Sequence, residues 1–269
     1  DSWAKLKTGA KLTPEAKIKV AKGSYLALLH KSGKSLEVKK DGEFTSKQLQ
    51  SSLNPKDPKI ASKLTNFVID NLTGSKNTGY DYREAMEATG AVERSLNAKN
   101  LNGPAAFVEL KTPRKINFAT NTANLIWKDV PNEKNYIFSI TDRFDRVVFT
   151  REVANNKFKI SKDELNLESD EYYLWHVACK SDRSIKSPDC AFSFLSKKQI
   201  EAINREYKQL VEELGDENSA LNQIILGNFY EQHFLLNEAG KHYKKAVELE
   251  PSVEDYQNLY SQFLIRSNF

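Results

Sequence analysis

Four histidines, two cysteines and a Gly-Lys-Ser triplet are the residues whose types could do chemistry, and their spacing decides whether they do. Gly33-Lys34-Ser35 ends like a phosphate-binding loop, but a loop whose amides cradle phosphate needs a glycine five positions before Gly33, and Leu28 stands there. Gly74 and Gly79 have the right separation and run into Tyr80-Asp81 instead. No G-x-G-x-x-G occurs, so nothing points to a dinucleotide. His30, His176, His233 and His242 are dispersed, with no H-E-x-x-H and no pair at i, i+4 that could share a metal. His176 and Cys179 are three apart in an expected strand and project to opposite faces, which rules out a thiolate–imidazole pair between them. The acidic pair Glu212-Glu213 sits on a charged helix surface, where a solvated face is the simpler reading than acid–base chemistry. The expectation is a non-enzymatic chain with no cofactor and no metal.

Charge and hydropathy narrow the classes further. Residues 1–63 carry fourteen Lys and no Arg against six acids, a net +8, so the remainder carries −4 of the overall +4. Lysine without arginine forks reads as a solvated basic surface, not as a nucleic-acid reader. An anionic glycan remains a candidate contact for this Lys-rich segment. The longest apolar runs, Tyr25 to Leu29 and Ile224 to Leu226, fall far short of the roughly 20 residues that cross a bilayer. The start at Asp1, without an initiator Met or an apolar leader, is what a processed mature form would show, and a trimmed chain would look the same.

These residues must be held by elements of three kinds, giving a multidomain α+β chain. Residues 1–53 alternate apolar and polar positions in short stretches, Ile18 and Val20, Leu26 and Leu28, Leu36 and Val38, with turns at Lys22-Gly23-Ser24, Ser32-Gly33-Lys34 and Asp41-Gly42. Period two with glycine turns predicts a small antiparallel β domain. Residues 54–105 read as a linker with one amphipathic helix (Ile60, Leu64, Phe67, Val68, Leu72) and an irregular connector at 75–104, weakly periodic from Ala85 to Val92. Across 106–195 the strand pattern returns: Leu125-Trp127, Tyr136-Phe138-Ile140, Val147-Phe149, Phe158-Ile160, Tyr173-Trp175-Val177 and Phe192-Phe194. Such spacing predicts a β-sandwich, with Trp127, Tyr173, Trp175 and Phe194 in its core and not on a glycan. The apolar positions align if Cys179 faces Cys190, Val177 faces Phe192 and Trp175 faces Phe194, which predicts a Cys179–Cys190 disulfide and an oxidising compartment.

Residues 196–269 change to helical period. Ser196 and Gln199 have capping-box spacing ahead of a helix running to Gly215. Then come Leu226-Gly227, Tyr230, Ala239, Tyr243, Ala246 and Pro251, with Gln223 in place of a Trp; this run resembles the tetratricopeptide repeat. Small Gly227, Ala239 and Ala246 would let two helices approach, and a further helix follows with Tyr256, Leu259, Tyr260, Phe263 and Leu264.

Two further resemblances stand beside that one. Trp3, Leu6, Gly9, Leu12, Ile18, Ser24, Leu26, Leu28, Gly33, Leu36, Val38 and Gly42 resemble the FecR-like domain of bacterial envelope proteins, over about a fifth of the chain. Tyr172 to Val177 with Phe192 to Phe194, and Trp127 before them, resemble a fibronectin type III or immunoglobulin-like module. Together they imply a periplasmic or otherwise exported protein that binds other envelope proteins, an outer-membrane complex among them, as an adaptor or assembly subunit. The alternatives are a peptidoglycan- or anionic-glycan-binding module and a FecR-type signal-regulating ectodomain. The repeat's family maps partner contacts onto Leu221, Ile224, Asn228 and Glu231, and the tail adds Phe263, Leu264 and Phe269 as apolar candidates.

Overall fold

The computed structural model describes residues 3–53, 60–73, 107–216 and 218–269; the expected connector at 75–104 lies outside them. The architecture is mixed α and β, with several small sheets, one five-stranded mixed sheet and C-terminal helices. The described residues fall into two compact units: residues 3–73, 202–232 and 237–263 form one, and residues 107–201, 233–236 and 264–269 the other.

In the first unit, β1 (Lys17–Val20) pairs antiparallel with β4 (Gly42–Thr45), and β2 (Leu26–Leu29) with β3 (Ser35–Val38). The alternation seen in the sequence becomes one core: Ile18, Val20, Val38 and Leu49 are buried, with Leu12, Leu26, Leu28, Leu36 and Phe44 against them. Helix α1 (Ser46–Ser51) starts at a reciprocal cap, in which Gln48 N–H donates to Thr45 Oγ1 (3.2 Å) and Thr45 N–H to Gln48 Oε1 (2.9 Å). The expected amphipathic helix is α2 (Ala61–Thr73), burying Ala61, Leu64 and Val68. Gly33 in the β2–β3 turn has φ +88°, and a β-carbon there would come within 2.4 Å of the Ala61 backbone, so only glycine fits.

Four C-terminal helices follow: α3 (Lys197–Leu214), α4 (Ala220–Gln232), α5 (Leu236–Leu249) and α6 (Glu254–Ser267). Gln199 N–H donates to Ser196 Oγ (3.3 Å) as the capping-box spacing requires, and Gly215, at φ +85°, ends α3. Helix α4 is buried almost all round, packing against α2 and β3. Its start is tied to the β domain by Glu37, whose Oε1 accepts from Leu221 N–H (3.0 Å), Ser219 Oγ (2.8 Å) and Tyr25 OH (2.6 Å). A carboxylate this enclosed is stable only when hydrogen-bonded, and the amides of a helix N-terminus are its natural donors. Burial, and then the neighbouring Tyr256 phenol at 3.1 Å, pushes the Tyr25 phenol above its ordinary range. Glu213 of α3 works similarly, accepting from the N–H groups of Ile60 and Ala61 at 2.9 Å each.

In the second unit, the five-stranded sheet has the order β5 (Lys115–Phe118), β11 (Cys190–Phe194), β10 (Tyr173–Cys179), β7 (Tyr136–Asp142), β8 (Val147–Val153). The β5–β11 pairing is parallel and the others antiparallel. A two-stranded sheet of β6 (Thr122–Ile126) and β9 (Lys157–Ser161) brings Leu125, Phe158 and Ile160 to the same core, where Phe158 lies 4.5 Å from Phe138 between ring centroids. Trp127 is fully buried, edge-on to Tyr136 at 5.5 Å and stacked near Phe138 at 6.3 Å; Tyr173, Trp175 and Phe194 are buried too.

The expected cysteine pairing is corrected by the register. Trp175 faces Cys190 and Tyr173 faces Phe192, four residues from the expected alignment, and both thiols are free. Cys179 N–H donates instead to Ile185 O (2.9 Å), while Val177 and Ser187 bond each other both ways, Val177 N–H to Ser187 Oγ (3.0 Å) and Ser187 N–H to Val177 O (2.8 Å). The turn is therefore tight at 180–184, and Pro188-Asp189 adds a residue to the β11 side, Pro188 having no N–H for the ladder. Cys190 faces Trp175, four residues along β10 from Cys179, about 13 Å at about 3.3 Å per residue and too far for a disulfide.

Candidate protein-binding edge

The residues that the sequence offered for partner contact lie mostly inside. Leu221, Ile224, Asn228 and Glu231 are all buried on α4, whose flanks are covered by α2 and β3. Glu231 Oε2 accepts from Tyr243 OH at 2.7 Å, and neither side-chain polar atom of Asn228 has a hydrogen-bond partner among the described residues. Phe263 is fully buried, its ring 4.9 Å from that of Tyr243. Leu264 is half-buried, and Phe269 and Ile265 are exposed.

A more open surface stands at the far edge of the five-stranded sheet. Strand β8 is last in the order, and β7 is its one strand partner among the described residues. A tight turn delivers it: Asp142 Oδ1 accepts from Phe144 N–H (2.8 Å) and Arg146 N–H (3.0 Å), Oδ2 accepts from Arg146 Nε (2.6 Å), and Asp145 adopts φ +64°. This turn projects Phe144, 64% exposed, and Val147, 69% exposed, into solvent. Val148 is the bulged residue, because Ile140 faces Phe149 while Thr141 faces Val147. Beyond it, Phe149–Val153 is regular, with Phe149, Arg151 and Val153 on the side facing buried Ile140, Phe138 and Tyr136.

Beside this edge lies an open depression of about 550 Å³, lined by Arg151 and Val153 of β8, Ala154 and Asn155 of the following turn, Lys157 to Lys159 of β9, and Asn124 and Ile126 of β6. The Arg151 guanidinium sits 5.2 Å from the Phe149 ring centre and 5.9 Å from that of Phe158, capping the core where it reaches the surface. Lys157 and Lys159 share the outward face of β9 with Ile126 and Asn124, their register partners on β6. The lining therefore holds three cations, apolar Ile126, Val153 and Phe158, and no carboxylate. Nearby Glu152 is on the other face of β8, neutralised by Lys180 at 2.7 Å. The patch sets three cations beside partly exposed apolar side chains, a lining that suits an extended, negatively charged chain.

The histidines stay apart: His30 Nδ1 bonds Ser32 Oγ, His176 Nδ1 bonds Asp189 Oδ1 and His242 Nδ1 bonds Gln223 Oε1. Among the described residues no three metal-ligating side chains gather, and no helix is long and apolar enough to cross a membrane. Sequence reasoning marked Val147, Phe149 and Phe158 as strand residues but did not single out this edge. The signal was the mixture of Arg151, Lys157 and Lys159 with the apolar alternation on β8 and β9. No protein-family model and no curated protein matches this sequence.

Proposed function

We propose that the chain is a non-catalytic adaptor or assembly subunit of a bacterial cell-envelope complex and binds a protein partner through the β8 edge. The observation that carries this is the open depression beside β8, lined by three cations and by apolar Ile126, Val153 and Phe158, without a carboxylate. The three resemblances enter the same reading. The β1–β4 and β2–β3 hairpins are taken as a FecR-like domain, the second unit as a fibronectin-like sandwich supported by buried Trp127, and α4–α5 as one tetratricopeptide-like hairpin supported by the Gly227–Tyr243 contact. With α4 covered by α2 and β3, the helical hairpin serves as scaffold and docking passes to the β module. Export rests on the FecR-like resemblance, since free thiols remove the argument from an oxidising compartment.

The test is affinity purification from the native membrane fraction with the wild-type chain and with an Arg151→Glu, Lys159→Glu variant, both positions being exposed. A protein retained by the wild type and lost by the variant, with unchanged near-ultraviolet circular dichroism, supports the reading. Identical protein sets from the two chains, or turnover of a substrate, would reject it.

A further inference from the structure

We infer that the β8 edge takes an acidic, extended segment of its partner as an added strand. The inference rests on the adaptor reading above and names the kind of segment that occupies the site. An edge strand leaves alternate backbone N–H and C=O groups without a ladder partner, and proteins usually blunt such edges with proline, an inward-pointing charge or a bulge. In β8 the bulge at Val148 interrupts the ladder near one end and Arg151 places a charge on the core-facing side, but that side chain lies over the Phe149 and Phe158 rings, and Phe149–Val153 continues regularly without proline. That leaves a stretch long enough to pair with an incoming strand, which is how peptide-binding sheet edges gain affinity.

Charge selects the occupant. On the side of β8 that an added strand would continue, Phe149, Arg151 and Val153 alternate as apolar, cationic, apolar. Cross-strand neighbours favour an apolar residue opposite Phe149 and Val153 and a carboxylate opposite Arg151. Lys157 and Lys159, which line the same depression, favour a second carboxylate on the incoming chain. No ion pair engages Arg151, Lys157 or Lys159 among the described residues, so the incoming acid has no internal competitor. The recognised pattern is apolar, acid, apolar, acid at every second position.

The experiment uses the whole chain and a capped peptide of sequence TVTETVTE, with binding followed by fluorescence anisotropy and by amide hydrogen exchange. Three controls accompany it: the same peptide N-methylated at alternate amides, its lysine counterpart TVTKTVTK, and the Arg151→Glu chain. The expected result is that TVTETVTE binds, exchange slows at Phe149–Val153, and both N-methylation and Arg151→Glu weaken binding by at least about tenfold, the effect of two lost hydrogen bonds or a reversed charge. Equal binding of the N-methylated peptide would replace strand pairing by simple charge attraction and overturn the inference. So would equal binding of the lysine peptide, no binding of either, displacement by a sulfated oligosaccharide of equal charge, or a chain dimer that Arg151→Glu dissolves. A partner that co-purifies in an Arg151-dependent way while the peptide fails would leave the adaptor reading standing and remove the added strand alone.

Discussion

A β-carbon on Gly227 would stand 2.7 Å from both Cδ1 and Cε1 of Tyr243, because the Tyr243 ring packs directly against the α4 backbone there. Its hydroxyl donates to Glu231 Oε2 at 2.7 Å, four residues on from Gly227 and on the same helix face, so the ring is anchored at its far end.

Gly227→Ala sets two effects against each other. Alanine in a helix interior gains up to about 1 kcal/mol in propensity over glycine. Overpacking against an anchored, fully buried ring costs about 1 to 3 kcal/mol. The clash is expected to win, lowering the urea midpoint by an amount equivalent to about 1 kcal/mol. A midpoint unchanged or raised in Gly227→Ala would mean that the ring yields freely.

That contact was legible in the sequence because small residues at fixed helical spacing have one common physical cause, close helix approach. The α3 cap at Ser196 and Gln199 and the alternation in β1 to β3 were legible for equally local reasons. Strand β5 was not, since Lys115 and Asn117 are both buried and hide the alternation of Ile116 and Phe118. The β10–β11 register escaped because a four-residue slip keeps every side chain on its own face, and period two cannot see an even shift. The partner face expected on α4, Leu221, Ile224, Asn228 and Glu231, is interior instead, because α2 and β3 come from distant parts of the chain to cover it and local spacing does not announce them. The β8 edge needed topology, because nothing local says which strand is last in a sheet.

The free cysteines make a direct prediction. Burial pushes the Cys190 thiol up to about 12 and the Cys179 thiol up to about 11, and thiolate is the reactive form. Neither should react with an aromatic disulfide reagent in the folded protein at neutral pH, and two thiols should appear when it is unfolded without reductant. Zero thiols after unfolding would restore the covalent pairing that the register excludes. Raised folded values also mean that their contribution is present below the ordinary thiol range and is lost with rising pH, as the unfolded chain releases protons that the folded chain retains.

His242 sets the acid side of the stability profile. Its Nδ1 is 2.7 Å from Gln223 Oε1, its ring stacks on Tyr230 at 5.3 Å and 17°, and Tyr207 lies at 6.1 Å. A side-chain carbonyl accepts and does not donate, so Nδ1 carries the proton of a neutral ring. Burial, and then Lys245 and Lys241, lower its pKa from 6.5 to about 4. Between those two values the unfolded chain binds a proton that the folded chain refuses, so stability is complete above 6.5 and falls as the pH drops through the folded pKa. The full interval is worth at most about 4 kcal/mol, at about 1.4 kcal/mol per pH unit. His242→Gln, which cannot take up a proton, should be less stable than the wild type at pH 7 if the ring packing matters, but its stability should fall less steeply toward pH 4.5. Urea midpoints of both chains at pH 7, 5.5 and 4.5 check this, and parallel profiles across that range would show that the imidazole is not held neutral by the fold.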